Sequence, residues 1–417
     1  MAAALCLSVA LSACDPPPAR EDVGPAASPP KPEEVAAGDD AQASPGAPRD
    51  ASQARYDEAA TPAMVPAAPQ PDAAQALDAG PALDSQHVAD ADADASRPEY
   101  DAAPSDAGGG ADTDLCADGF PRGKPGGATR LVHKLNPGPE GVGVCPNGDV
   151  LASAGEVLWR VPPQRGTPPE RLATWEGRSL ESIVCDAKGR IFVADISPMF
   201  ALFSLQEPRF PPALMLLEAG AKEPRALVAP SARDIELTGF NGLLEIQGLG
   251  FYTTDMMAGL IVRYKESPAG TFDAEFVARD LPGANGLAYD PKRRVLYLVQ
   301  TGMVLTPDRV LAIEMNADGT LGVRRQIWSS SALNGSDGLA IDENGVLYRA
   351  DQLKGEVVRM RDEKVVAKVP NPASLAFRGG TLFISDFKML GALQNGGEGG
   401  VYAVDLGVCG GATAFVP

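Results

Sequence analysis

The stretch GSDGLAIDENGVLYRADQLKGEVVRM, Gly335 to Met360, has an apolar core short enough for a strand buried on both faces. Asp337 and Gly338 precede Leu339, Ala340 and Ile341. Asp342 to Gly345 then carry an Asn-Gly turn signal, which predicts a tight hairpin with Asp342 exposed to solvent. Val346, Leu347 and Tyr348 supply the partner strand. Asp351 opens a second turn, and Gly355 leads into a third strand around Val357 and Val358.

Worn copies of this phrase recur: EGVGVCPNGDVLAS from Glu140, ESIVCDAKGRIFVAD from Glu181, NGLLEIQGLGFYTTD from Asn241, NGLAYDPKRRVLYLVQT from Asn285 and ASLAFRGGTLFISD from Ala373. Aligned on their apolar cores, Glu140, Glu181, Asn241, Asn285, Asp337 and Ala373 share one position, 36 to 60 residues apart. That period suits four strands per repeat and predicts an all-β fold, a six-bladed β-propeller. All but Ala373 carry an oxygen-bearing side chain where an innermost strand begins. Those starts converge on the central channel, so a ring of oxygens is expected there. Asn-Gly and Asp-Gly pairs are also ordinary turn formers, and in that role they would carry no chemistry.

Charge is unevenly spread. The chain has 417 residues and a net charge of −19, and Asp15 to Leu115 holds 21 acidic against 5 basic residues. The remainder is nearly neutral, and the Lys292, Arg293, Arg294 cluster falls in a hairpin turn. Nucleic acid is therefore excluded as a partner. The segment is dominated by Ala, Pro and Asp, with almost nothing large to bury, so residues 14–115 read as a disordered linker. Before it, LCLSVALSAC ends in Leu11, Ser12, Ala13 and Cys14 and resembles a lipoprotein signal, with 1–13 as signal peptide and Cys14 as the lipidated residue. This implies a bacterial cell-envelope protein held on the membrane by an N-terminal lipid. The propeller is expected over 116–417, as a monomer.

Cys116 and Cys409 bracket the propeller, where an oxidising compartment would allow a ring-closing disulfide or leave two thiols. Cys145 and Cys185, at the ends of adjacent inner strands, are expected as buried free thiols. With only His87 and His133, the chain has little material for a Ser-His-Asp triad or a His-rich zinc site.

The Glu-Gly of the first copy, the Asn-Gly of the fourth and the Asp-Gly-Leu-Ala-Ile-Asp of the fifth resemble the SMP-30/gluconolactonase/LRE family of six-bladed propellers. The resemblance implies Glu140, Asn285 and Asp337 as ligands of a divalent cation, Asp337 as the base, and Asn241 beside the metal on the substrate. Glu181 is an extra carboxylate that would also face the substrate. Members that hydrolyse sugar lactones have an Arg two residues before the substrate Asn; here Gly239 stands there. Two carboxylates and an amide are hard donors, suited to Ca2+ first, with Mg2+, Mn2+ or Zn2+ as alternatives. The expected activity is hydrolysis of a small-molecule lactone or ester. The alternative is a non-catalytic envelope lipoprotein whose propeller binds a ligand or protein partner.

Overall fold

The computed structural model describes residues 115–411, except 165, 204–206, 231–234, 303–305 and 388–396. The signal and linker, Cys14 included, lie outside the described residues. Strand β1 (Arg130–Leu135) is followed by β2 (Gly141–Val144), β3 (Val150–Ala154), β4 (Val157–Val161) and β5 (Glu170–Thr174), the first blade. The second is β6 (Leu180–Cys185), β7 (Ile191–Asp195), β8 (Ala213–Leu217) and β9 (Arg225–Val228), with helix α1 (Ser197–Phe203) between β7 and β8. The third is β10 (Leu243–Ile246), β11 (Gly250–Asp255), β12 (Leu260–Glu266) and β13 (Phe272–Ala278). Then come β14 (Ala284–Asp290), β15 (Val295–Gln300), β16 (Arg309–Met315) and β17 (Leu321–Ser329). The quoted stretch lies in the fifth blade, β18 (Ser336–Ile341), β19 (Leu347–Asp351), β20 (Glu356–Arg359) and β21 (Lys364–Lys368).

The sixth blade is β22 (Pro372–Arg378), β23 (Thr381–Asp386) and β24 (Gly399–Asp405), completed by β1, which pairs with β24. The start of the folded chain thus supplies the outermost strand of the last blade, so the ring closes through backbone hydrogen bonds. The sequence repeats do not announce this, because β1 lacks the inner-strand phrase.

Burial follows position in the blade. β14 and β18 are buried at every residue, whereas the outermost β17 is mostly exposed. Apolar side chains sort into six clusters, one between each pair of neighbouring blades. Leu151, Leu158 and Val193 join the first two, and Val150, Phe383 and Val401 join the last to the first. The hydrophobic core is therefore a circle around the channel.

The inner strands end in hairpin turns on one face, and terminal segments cover them. Cys116 and Cys409 form a disulfide with Cα atoms 5.5 Å apart. Asp118 Oδ2 accepts from the Gly379 N–H at 2.7 Å, Arg122 pairs with Glu343, and Glu343 Oε1 accepts from the Cys409 N–H at 3.2 Å. Gly380 lies so close to Arg122 O that a Cβ would fall 1.4 Å from it. Between this cap and the inner strands lies a cavity of about 170 Å³, lined in part by Phe120, Cys185, Glu245 and Gly410. Cys145 and Cys185, expected as free thiols, are joined instead, their Cα atoms 4.9 Å apart. They stand one position out of register in neighbouring copies, and the stagger of adjacent inner strands brings them face to face. Among the described residues, no helix is long and apolar enough to cross a membrane.

Candidate cation site at the channel mouth

Glu140, Glu181, Asn241, Asn285 and Asp337 all lie at the channel end opposite the cap, where the inner strands begin, and all are buried. The glycine after four of them explains the placement. A Cβ on Gly141 would fall 2.1 Å from Glu181 O, one on Gly242 2.2 Å from Asn285 O, one on Gly286 2.4 Å from Asp337 O, and one on Gly338 2.3 Å from Ala373 O. None of these four glycines has positive φ. The Glu-Gly, Asn-Gly and Asp-Gly pairs are therefore not turns. The glycine lets each inner strand press against the backbone of the next ring residue, which draws the ring tight.

A belt of hydroxyls locks the contact. Ser153 Oγ accepts from the Gly141 N–H at 2.9 Å and donates to Glu181 O at 2.6 Å. Thr254 Oγ1 accepts from the Gly242 N–H at 2.8 Å and donates to Asn285 O at 2.9 Å. Ser385 Oγ accepts from the Ser374 N–H at 2.7 Å and donates to Glu140 O. In these three blades the second strand thereby bonds its own inner strand to the next blade. Next to the belt, Asp195, Asp255, Asp351 and Asp386 end the second strands. Asp255 accepts from the backbone of Thr238 at 2.6 Å, Gly239 at 3.2 Å and Ala258 at 2.9 Å, and Asp386 from Asn371 at 2.9 Å. Sequence reasoning passed over both sets. The signal for the aspartates was the recurring VAD, TTD, RAD and ISD endings.

The side chains of the ring have few partners. Glu140 and Glu181 stand close enough to share a proton, and Glu140 and Asp337 repel each other. Burial, and then the charge of Glu140, holds Glu181 and Asp337 well above the usual carboxylate range, and burial raises Glu140. Among the described residues no Lys, Arg or His side chain forms an ion pair with any of the three. Asn285 hydrogen-bonds Asp337. Glu140 Oε2, Glu181 Oε2 and Asn285 Oδ1 are buried with no hydrogen-bond partner.

Orphaned buried oxygens from three of the expected residues, within a cluster of mutually repelling carboxyls, are the donor set a hard cation takes. Among the described residues no three Asp, Glu, His or Cys side chains gather closely enough to hold a metal by themselves. The set that fits is mixed, two carboxylates and one amide, so both observations stand together.

One expectation about a neighbour changes. Asp342 is buried, not exposed: its carboxylate accepts from the N–H of Asn344 at 2.9 Å and Val346 at 3.0 Å, and from the Tyr348 hydroxyl at 3.1 Å. A tight turn whose amides point inward needs an acceptor there. Gly239, at φ +134°, packs against Ile196, and a Cβ would fall 2.9 Å from Ile196 Cα. No arginine fits at that position. His133 is structural, its Nε2 3.1 Å from Pro162 O.

Residues 248–386 match the family model described as SMP-30/Gluconolactonase/LRE-like region, a span that includes Asn285 and Asp337. A luciferin-regenerating enzyme shares the fold at 16% identity and a TM-score of 0.51, over 70% of this chain and 100% of its own. So does regucalcin from Agrobacterium tumefaciens, a calcium-binding protein, at 14% identity and a TM-score of 0.50, over 69% of this chain and 96% of its own. A gluconolactonase from Xanthomonas campestris is 19% identical over 67% of this chain and 89% of its own, with a TM-score of 0.48. No curated protein sequence matches the chain. The chain is thus a six-bladed β-propeller that carries an SMP-30/gluconolactonase/LRE-like region from the β10–β11 turn through β23.

Proposed function

We propose that the protein is a metal-dependent hydrolase of a lactone or ester, with a divalent cation, Ca2+ in the first place, held by Glu140, Asn285 and Asp337. The observation that carries the reading is the group of orphaned oxygens on Glu140, Glu181 and Asn285 beside Asp337, buried carboxyls that form no ion pair with a cationic side chain among the described residues. Burying such groups uncompensated costs several kcal/mol, roughly, and a bound cation removes the cost. When bound, the cation would polarise the substrate carbonyl and stabilise charge on its oxygen.

The chain's own residues do the rest. Asp337, as carboxylate, orients the attacking water and takes its proton at Oδ. Asn241 and Glu181 line the mouth and hold the substrate's polar atoms. The near-complete burial of the ring keeps bulk water from the reacting carbon.

Gly239 favours a second reading. With the Arg position closed by Ile196, the polar partner of sugar lactone hydrolysis has no place, and a channel that retains its cation while binding a ligand or protein partner would look the same. We further propose that the protein is a lipid-anchored envelope monomer, tethered through Cys14 and the acidic linker.

Hydrolysis of a panel of aliphatic lactones, sugar lactones and aryl esters, with Ca2+ and after chelation, separates the two. Turnover lost on chelation and restored by Ca2+ supports the hydrolase. Ca2+ binding with no turnover supports the binding protein.

A further inference from the structure

The Asn285 side chain has one oxygen to offer a cation, and an amide can present its oxygen or its NH2. Which one it presents is decided by its neighbours. Asn285 Nδ2 lies 2.9 Å from Thr301 Oγ1 and 3.9 Å from Met256 Sδ, and the amide also donates to the Asp337 carboxylate, which turns the same NH2 inward whenever Asp337 is not engaged by a cation. Thr301 Oγ1 also lies 2.6 Å from Ser336 O, a carbonyl that can only accept. The single Thr301 proton is therefore committed to Ser336. Toward Asn285 the hydroxyl can only accept, so the amide must turn its NH2 to Thr301. That leaves Asn285 Oδ1 as the buried atom without a partner.

Thr301 is unlike the hydroxyls of the belt. Ser153, Thr254 and Ser385 have their bonds in the backbone on both sides, whereas the belt position of the fourth blade is Val299 and offers none. Thr301, two residues on and just past β15, reaches the next blade by donating to Ser336, the residue before Asp337. Its lone pair is thereby free for the ring side chain.

We infer that Thr301 is a positioning residue of the channel mouth: its hydroxyl relays the fixed polarity of the Ser336 carbonyl to Asn285 and sets the amide with Oδ1 toward the cation. The inference rests on the proposed cation site for its consequence, but the amide orientation stands without it. Thr301→Val keeps the shape and removes the acceptor. Ca2+ affinity, titrated by calorimetry on the full chain, should fall about tenfold, in the range for groups that orient metal ligands. Thr301→Ser should restore it to within about twofold of wild type. In the Asn285→Asp background, Thr301→Val should change affinity by less than about twofold, because a carboxylate presents an oxygen whichever way it turns. Equal affinity for wild type and Thr301→Val, or an equal loss in the Asn285→Asp background, would overturn the proposal.

A second readout needs no metal. With asparagine labelled by 15N, the Asn285 NH2 signal is the one that disappears in Asn285→Asp. Its hydrogens should exchange slowly in wild type and several-fold faster in Thr301→Val, roughly as expected when one buried hydrogen bond is lost. Unchanged exchange would overturn the orientation argument even in a protein that binds no Ca2+. Absence of Ca2+ binding with the expected exchange would instead overturn the cation reading alone.

Discussion

The two ends of the same inner strands bury carboxylates in opposite ways. At the capped end, Asp186, Asp290 and Asp342 sit in hairpin turns and are answered: Asp186 by the N–H of Lys188 and Arg190 at 2.9 Å each and by Arg190 Nε at 2.7 Å, Asp290 by the N–H of Lys292 at 2.9 Å and Arg293 at 3.1 Å, and Asp342 as above. At the mouth, Glu140, Glu181 and Asp337 are buried as deeply and face one another. A carboxylate in the cap is met by the donors of its turn, which work against the burial that still raises Asp342; one at the mouth lacks such a set of donors. Charge kept where it costs stability is the mark of a site that a ligand completes.

The largest expected effect is at the mouth. Asp337→Asn should lower lactone or ester turnover by about 100-fold or more even at saturating Ca2+, since it removes the base. The same change should raise the melting temperature of the metal-free protein, because a repelled buried charge disappears. Thermal denaturation in chelator checks the sign. A lower melting temperature for the variant would place Asp337 with the stabilising carboxylates of the cap.

The capped end should respond with stability alone. Asp342→Ala leaves the buried Val346 N–H and the buried Tyr348 hydroxyl without an acceptor and should cost about 2–3 kcal/mol in denaturant unfolding. Ca2+ affinity should be unchanged. A matching loss of affinity would mean that the two ends are not independent.

Between them stands Glu245, on the cavity wall. Burial, then the charge of Asp186, pushes its carboxyl up to about 7 from its usual 4.5, against the pull of Arg190. An acid with a raised folded pKa contributes stability fully below its unfolded value and loses it as pH rises through the folded one. The melting temperature should therefore carry a falling component from pH 4.5 to about 7 that Glu245→Gln removes. Parallel pH profiles for the two proteins would contradict this. The smallest effect is expected at Asp273, exposed on outer strand β13, where Asp273→Asn should shift the melting temperature by no more than about 1 °C and leave Ca2+ affinity alone.

How far the chain could be read before its structure follows from what repeats. The inner strands repeat a phrase, so the blade number, the ring residues and the hairpin turns were legible from it. β1 was not, because an outermost strand needs only alternation and an edge to pair with. The ring glycines were visible but misleading: Asn-Gly is commonest in turns, and only the approach of the next blade shows why Gly141 and Gly286 cannot carry a side chain. Asp342 was misjudged on the same ground, since a turn at the surface of a hairpin can lie beneath a terminal segment. The cap is made by residues remote in sequence, Asp118, Arg122 and Cys409, and the Cys145–Cys185 bond depends on stagger between neighbouring blades. Neither is a local property of the chain.

The central claim is that the mouth completes itself with a divalent cation while the cap needs none. Calorimetric titration of the full chain with Ca2+, for wild type, Glu140→Gln, Asp337→Asn and Asp342→Asn, tests it most directly. The account predicts one ion per wild-type chain, affinity weakened by about tenfold or more in Glu140→Gln and Asp337→Asn, and affinity unchanged in Asp342→Asn. Equal binding by all four proteins, or none by the wild type, would contradict it.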